Sequence, residues 1–211
     1  MARDGAGEGV WLRAERQTAG RGRQDRRWAS PAGNLYASTI VRLRPADPPA
    51  PTLALVAAIA LHDVVAIGSL KWPNDLLIEG AKVSGILLER TADAVVIGFG
   101  VNLAHAPDLD RPTTALCRYG IATNSALMLE KLAAALAERI GQWRDNFANI
   151  RTAWLAAAHP PGTALAVALP DGERLSGSFD GLTADGALAL GLPSGERRII
   201  HAGDVFQLTG A

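Results

Sequence analysis

SLKWPNDLLIEGAKVSGILLERTADAVVIGFGVNL, residues 69–103, indicates the fold more directly than any other part of the chain. Three of its apolar runs are typical of strands: Asp75–Ile78, Val83–Arg90 and Ala94–Leu103. The tetrad Glu79–Lys82 joins the first two runs and has the composition of a tight turn, which predicts a β-hairpin. The last run is nearly all apolar, as is usual for a strand at the centre of a sheet.

Further strands and helices are predicted on both sides of this stretch. Val10–Glu15 and Asn34–Leu43 are rich in apolar and β-branched residues, which favours strands. Apolar residues at helical spacing predict helices over about Leu53–Ile67 and Ser125–Phe147. A short helix is expected at Arg151–His159. These elements predict an α+β fold with a mixed β-sheet flanked by helices.

The chain after Gly162 has a different composition. Short apolar runs alternate there with dipeptides that favour tight turns, namely Asp171-Gly172, Asp180-Gly181, Asp185-Gly186 and Ser194-Gly195. This spacing predicts a small β-barrel with its own core. We therefore place a domain boundary at Pro160-Pro161 and expect a catalytic domain over residues 1–160 and the barrel over residues 161–211.

The composition argues against several classes of protein. The 211 residues have a formal net charge of zero, which disfavours a protein that binds long nucleic acids through their phosphates. Cys117 is the only cysteine, so no intramolecular disulfide can form, and no Cys/His spacing resembles a zinc site. The sequence has neither a signal-like N-terminal segment nor an apolar window of about 20 residues. We expect a cytoplasmic protein with no membrane contact.

A loop rich in arginine and glycine, GRGRQDRRW at residues 20–28, is the first candidate binding segment. Arginine offers a planar set of donors that fits carboxylate and phosphate oxygens, and glycine lets the backbone approach a ligand closely. The alternative is a solvated basic turn. Because the loop lies between two predicted strands and not in a tail, we favour a cover for an anionic ligand.

Two lysine motifs form the second candidate. Only three of the 21 basic residues are lysines, and two of them are Lys71 and Lys82. A lysine is a compact point charge, so these positions suit sites that the wider arginine does not fit. In KWPND (71–75), Asn74 and Asp75 can present polar groups at a strand end, or they can bond their own backbone in a turn.

Glycines beside these motifs predict room for a ligand. In KVSG (82–85), Gly85 leaves a gap next to a cation, unless Lys82 is simply exposed on a hairpin. In GFGVN (98–102), two glycines and Asn102 end an apolar strand and indicate either a bulge or a wall for a flat ring.

Taken in order, the motifs GRGRQDRRW, SPAGNLY, KWPND, KVSGILLE and GFGVNL resemble those of the biotin protein ligases. The resemblance extends over about residues 7–208. It implies a catalytic domain like those of biotin synthetases and class II aminoacyl-tRNA synthetases, followed by an SH3-like β-barrel. It also implies that biotin and ATP form biotinyl-5'-AMP, from which biotin passes to a lysine of the biotin carboxyl carrier protein of acetyl-CoA carboxylase.

The resemblance also implies a role for particular residues. The catalytic cations would be Lys82 and Arg23. The biotin-binding residues would be Gln17, Gly20, Arg21, Gly22, Arg23, Lys82 and Gly85, and the ATP-binding residues would be Arg26, Trp28, Asn74, Asp75 and Asn102. Asp75 would also help to hold Mg²⁺. A homodimer is left open, and repressor activity is not expected because no helix-turn-helix precedes the catalytic motifs.

The sequence departs from the family pattern in two places. Asp25 replaces a glycine of the arginine loop, which we expect to weaken closure over a ligand by about 1 kcal/mol. The family's usual first strand and Ser-Thr-Asn segment would lie before Gly7, and the sequence as given starts after it. A late-assigned start, a truncated sequence and a chain that binds biotin weakly all remain open.

Two alternative functions follow from these departures and from the fold. One is a ligase-like protein that binds biotin or its adenylate with little turnover. The other is an acyl ligase of the lipoate type. A protein that binds nucleic acid through the arginine loop is disfavoured by the neutral net charge.

Overall fold

The larger of two sheets contains the strands that span residues 69–101. The computed structural model describes residues 5–23, 26, 28–109 and 111–207. The six strands of this sheet are β1 (Trp11–Ala14), β2 (Leu35–Arg42), β3 (Ser69–Lys71), β4 (Asp75–Ile78), β5 (Ala81–Thr91) and β6 (Ala94–Val101). Their order is β1-β2-β6-β5-β4-β3, with the predicted hairpin and the predicted central strand in the middle.

The ladders correct one detail of the prediction. The α+β class is confirmed, but every ladder in the larger sheet is antiparallel and the sheet is not mixed. Parallel pairing in the described residues is limited to isolated bridges from Leu70 to Ala158 and from Lys82 to Thr113. Between β3, β4, β5 and β6 the reason is that short turns at residues 72–74, 79–80 and 92–93 reverse the chain direction.

Three helices flank the sheet: α1 (Leu53–Val65), α2 (Ser125–Asp145) and α3 (Phe147–Ala157). The helix predicted to run to Phe147 ends earlier because Asn146 has extended backbone and caps α3, accepting a hydrogen bond from the Ala148 N–H at 3.0 Å. None of the helices in the described residues is long and apolar enough to cross a membrane.

Helix α1 lies at the centre of the core. Nine of its thirteen residues are buried, so it is covered on more than the single face that the helical spacing predicted. It packs against α2, α3 and strands β3 to β5. A helix that is apolar on all sides is stable only when it is enclosed in this way.

The second sheet is formed by the C-terminal strands β7 (Ala164–Ala168), β8 (Arg174–Leu182), β9 (Leu188–Gly191), β10 (Arg197–Ile200) and β11 (Asp204–Gln207). Their order is β10-β9-β8-β7-β11 and all ladders are antiparallel. A ladder between β10 and β11, which would close a barrel, is not found in the described residues. Closure of the barrel and the domain boundary at residues 160–161 stay predictions.

A single row of residues across the larger sheet positions the site. The register pairs Lys71 with Asp75, Asp75 with Gly85, Gly85 with Gly100, and Gly100 with Tyr36. Residues that pair directly across strands project from the same face of a sheet. The two lysine motifs and the glycine-rich strand therefore meet on one face, although they are far apart in sequence.

Candidate active site

A cleft of about 410 Å³ lies over this row of residues. Ten of the twelve predicted site residues line it: Gln17, Arg21, Gly22, Arg23, Arg26, Trp28, Asn74, Asp75, Lys82 and Gly85. Gly20 and Asn102 do not line it. The arginine loop forms one wall, strands β4 to β6 form the floor, and residues 204–206 of the second sheet close one end.

Asp75 joins two lysines at the floor of the cleft. One carboxylate oxygen accepts a hydrogen bond from the Lys82 ammonium, and the other lies 3.0 Å from Lys71 Nζ. The three side chains are between 7% and 13% exposed. Because Asp75 supplies one negative charge for two ammonium groups, the cluster has a surplus of positive charge that an anionic ligand can neutralise.

The environment changes the pKa of both partners. Burial alone would raise the pKa of Asp75, but the charges of Lys71 and Lys82 outweigh it and lower the pKa to about 2. Burial lowers the pKa of Lys82 to about 8, with Asp75 opposing the fall and Arg111 and Lys71 adding to it. The pKa of Lys82 falls despite its ion pair because burial outweighs the effect of Asp75, and the two nearby cations add to the fall.

A bulge in strand β5 aims Lys82 into the cleft. Leu76 pairs with Ser84 and Leu77 pairs with Lys82, so Val83 is an extra residue at this step. Without this extra residue, the side chains at positions 82 and 85 would project from opposite faces of the strand. In the structure, a Cβ added to Gly85 would lie 3.1 Å from Lys82 Nζ. Both residues therefore face the cleft.

Trp28 packs flat against the glycine floor. A Cβ added to Gly100 would lie 2.6 Å from the indole ring, and one added to Gly85 would lie 3.2 Å from it. Lys82 Nζ is 5.6 Å from the ring centroid, a distance at which a cation is attracted to an aromatic face. The two glycines thus make room for an aromatic wall directly beside the buried ammonium.

Carboxylates hold the arginines of the loop in place. Arg21 Nη2 lies 3.2 Å from a carboxylate oxygen of Glu89. Arg23 donates to the Gly203 carbonyl at 3.0 Å, and Arg23 and Arg26 both pair with Asp204. Asp25, the departure from the family pattern, lies outside the described residues.

The two predicted residues that do not line the cleft support its walls. Gly20 is buried, and a Cβ there would lie 2.5 Å from the Trp28 carbonyl, so only glycine fits this turn. The Asn102 side chain donates to the Thr114 carbonyl at 3.0 Å and points toward the loop that follows β6. Their predicted contacts with ligand therefore stay predictions.

The metal prediction at Asp75 does not fit the donor set. Both of its carboxylate oxygens are occupied by ammonium groups, and Mg²⁺ requires free oxygen ligands. In the part of the chain that the structure describes, no group of three or more His, Cys, Asp or Glu side chains could hold a metal ion. Asp75 therefore has no carboxylate oxygen free to bind a metal ion.

Sequence reasoning missed three residues of the site. Asp204 pairs with two arginines across the cleft, and Glu89 pairs with a third. Arg111 lines the mouth of the cleft near Lys82. Asp204 and Arg111 reach the cleft only through the packing of distant segments, whereas Glu89 lies on β5 with Lys82 and Gly85 at the end of the KVSGILLE motif.

The arrangement suits two anionic groups held side by side. The cleft is lined by six cationic side chains and three carboxylates, and its floor is apolar and flat at Gly85, Gly98 and Gly100. An organic acid can lie beside the Trp28 ring with its carboxylate at Lys82, and a phosphate can face the arginines. Bringing these two anions together requires cations between them.

Two family models match the chain. One, described as the biotin/lipoate A/B protein ligase family, matches residues 9–102, and the other, described as the biotin protein ligase C-terminal domain, matches residues 166–207. The first range contains the arginine loop, both lysine motifs and strands β1 to β6. The second covers most of the C-terminal sheet.

Named relatives cover nearly the whole chain. The biotin–[acetyl-CoA-carboxylase] ligase of Paracoccus denitrificans is 38% identical, over 93% of this chain and 90% of that protein. The ligase of the same name from Mycobacterium tuberculosis is 35% identical, over 95% of this chain and 80% of that protein. Among solved structures, the biotin protein ligase from Aquifex aeolicus in complex with biotin and ATP has the same fold, with a TM-score of 0.85 at 24% identity over 96% of this chain and 91% of that one.

Proposed function

Since the chain belongs to the biotin/lipoate A/B protein ligase family, we propose that it is an ATP-dependent ligase that attaches biotin to the carrier protein of acetyl-CoA carboxylase. The observation that carries this proposal is the position of Lys82. Its buried ammonium lies where a glycine floor and aromatic wall meet the arginine loop. It can therefore contact a carboxylate on one side and a phosphate on the other.

In the first step, a biotin carboxylate oxygen attacks the α-phosphorus of ATP. A bond forms between that oxygen and phosphorus, the bond to the β-phosphate oxygen breaks, and pyrophosphate leaves. Lys82 lowers the repulsion between the two anions, and Asp75 fixes its ammonium in place. Arg23, which also lines the cleft, stabilises the charge on the phosphate oxygens.

In the second step, the amine of a carrier lysine attacks the acyl carbon of biotinyl-5'-AMP. An amide forms, AMP leaves, and the amine loses a proton. The intermediate is a mixed anhydride that water would hydrolyse, so it must be kept dry. Trp28 packed on Gly85 and Gly100, and the arginine loop above it, are placed to exclude water from this part of the cleft.

The remaining assignments follow the family resemblance. We assign Gln17, Arg21 and Gly22 to biotin, and Arg26, Trp28 and Asn74 to ATP; all six line the cleft. The Gln17 side chain accepts a hydrogen bond from Ser30 at 2.9 Å. Any Mg²⁺ enters bound to the phosphates of ATP as part of the substrate, because the oxygens of Asp75 are already engaged.

We further propose that the reaction takes place in the cytoplasm, since it consumes ATP, and that neither DNA nor membrane takes part. The homodimer stays a prediction. Size-exclusion chromatography with light scattering, with and without biotin and ATP, would test it.

The direct test uses purified protein, ATP, labelled biotin and a carrier domain. We expect labelled carrier, and we expect Lys82→Ala to slow formation of biotinyl-5'-AMP by about 100-fold or more, since it removes a cation at developing charge. Lys131→Ala is the matched control, because Lys131 is exposed on α2, away from the cleft. Its rate should equal that of the wild type.

Three results would contradict the proposal in different ways. Biotin binding without pyrophosphate release would indicate a ligase-like binding protein. Efficient attachment of lipoate to the carrier in competition with biotin would indicate an acyl ligase of the lipoate type. An undiminished rate in Lys82→Ala would remove this lysine from its assigned role.

A further inference from the structure

Arg111 differs from the other described arginines of the cleft, because no carboxylate among the described residues pairs with it. Arg21, Arg23 and Arg26 each pair with Glu89 or Asp204. Arg111 lines the same cleft, and among the described residues it makes neither an ion pair nor a side-chain hydrogen bond. Its charge lowers the pKa of Lys82, so the two cations lie near enough to repel each other.

The backbone on both sides of Arg111 is held firmly. At the start of the loop, the Asn34 side chain accepts hydrogen bonds from the backbone N–H groups of residues 103–105, each at 3.0 Å. At its end, the Lys82 N–H donates to the Pro112 carbonyl and the Thr114 N–H donates to the Lys82 carbonyl, each at 2.9 Å. Arg111 is therefore placed beside Lys82 by the main chain of Lys82 itself.

Two neighbouring cations repel each other, and a bound anion relieves the repulsion. The single charge of a biotin carboxylate already faces Lys82 and Arg23 under the proposed function. ATP brings about three or four negative charges. A further cation near Lys82, with no carboxylate partner in the part of the chain that the structure describes, is thus matched in charge by the phosphates and not by biotin.

We infer that Arg111 is a further substrate-binding residue that contacts the phosphate groups of ATP near Lys82. The inference rests on the proposed function for the identity of the nucleotide. Arginine is suited to the task because its donors reach two phosphate oxygens at once. The residue would act in the first step and hold pyrophosphate until release.

The test measures ligand binding directly, so that it does not depend on turnover. We expect Arg111→Ala to weaken ATP binding in calorimetry by about 10- to 100-fold, the range for losing a charge-assisted hydrogen bond to phosphate. Inorganic pyrophosphate should lose affinity to a similar extent. Biotin binding without ATP should stay within about 2-fold of the wild type, and Arg111→Lys should recover part of the ATP affinity.

Arg118→Ala is the matched control, since Arg118 lies in the next turn, is exposed, and does not line the cleft, while the change in net charge is the same. Unchanged ATP affinity in Arg111→Ala would overturn the inference, as would an equal loss of biotin affinity. If the wild type binds ATP but never forms biotinyl-5'-AMP, the proposed function fails while the result for Arg111 stands.

The pH dependence of adenylate formation provides a second test, because a purely structural role of Arg111 would leave it unchanged. Arg111 lowers the pKa of Lys82, so its removal should shift the alkaline limb of adenylate formation to higher pH. An alkaline limb at the wild-type position in Arg111→Ala would show that the two cations do not act on each other.

Discussion

Lys82 illustrates how a single side chain acquires its role from its surroundings. Its ammonium is buried, bonded to Asp75 and packed beside Trp28. Burial favours the neutral amine, whereas the proposed chemistry needs the cation. With a pKa of about 8, the residue is mostly charged at neutral pH and loses its charge at mildly alkaline pH.

We therefore expect kcat/KM for adenylate formation to fall as the pH rises through about 8. The sign follows because the active form is protonated and its pKa lies below the ordinary value for lysine. Stopped-flow or pyrophosphate-release rates between pH 6 and pH 10 would measure it, with those pH values chosen to span roughly two units on either side of the pKa. The residual activity of Lys82→Arg should not fall at alkaline pH, because a guanidinium stays charged. A wild-type rate that does not change up to about pH 10 would contradict the role of Lys82.

Strand β6 shows how one element shapes the pocket. Its glycines at positions 98 and 100 face the cleft, and Gly100 lies directly under the Trp28 ring. Strand β5 contributes Gly85 and, through its bulge, Lys82. Small residues in these two central strands let an aromatic side chain and a ligand approach the backbone.

Gly100→Ala should displace Trp28, which the proposed function assigns to ATP, and weaken ATP binding by about 10-fold or more, in line with the roughly 1–3 kcal/mol usual for overpacking. Isothermal calorimetry with ATP would measure the change. Gly98→Ala is the control for folding, because its Cβ would meet nothing closer than 3.6 Å, and its thermal midpoint should match the wild type. Wild-type ATP affinity in Gly100→Ala would show that the Trp28 ring is not a wall of the ATP site.

At the scale of the whole molecule, the C-terminal sheet completes the site. Asp204 holds two loop arginines, and the Val205 carbonyl accepts a hydrogen bond from Lys71. The Trp72 indole donates to the Gly186 carbonyl at 3.1 Å, which ties the KWPND motif to a turn of the second sheet. The cleft thus depends on both sheets being docked.

His159 lies where the two sheets are docked, and its burial predicts that the fold is sensitive to acid. It is 3% exposed and packs edge-on against Phe179 of β8 at 4.3 Å, and neither ring nitrogen has a hydrogen-bond partner in the described residues. Burial lowers its pKa, and the charge of Lys71 adds to the effect. The unfolded chain therefore binds a proton below about pH 6.5 that the folded protein excludes.

We expect the free energy of unfolding to decrease as the pH falls below about 6.5, by at most about 1.4 kcal/mol per pH unit from this residue. Urea unfolding at several pH values would measure it. His159→Leu should show a shallower dependence than the wild type between pH 6.5 and pH 5, a window set by the ordinary pKa of roughly 6.5. An equally steep dependence in His159→Leu would assign the acid sensitivity to other groups.

The amino-acid sequence by itself determined the strands, the central hairpin, the C-terminal run of tight turns and ten of the residues that line the cleft. These were predictable because strand periodicity, turn composition and the motifs are local properties of the chain. Four of the ten, Asn74, Asp75, Lys82 and Gly85, meet at the cleft because antiparallel pairing places KWPND and KVSG side by side, and the other six lie in or just before the arginine loop.

Only the tertiary structure decided which groups act on each other. The bulge at Val83 aims Lys82, Asp75 turns both oxygens to lysines instead of a metal, and Asp204 crosses from the second sheet to the arginine loop. Arg111 reaches the cleft through a loop pinned by the main chain of Lys82. Such contacts join residues far apart in sequence, and their energies depend on burial and charge, which no local pattern encodes.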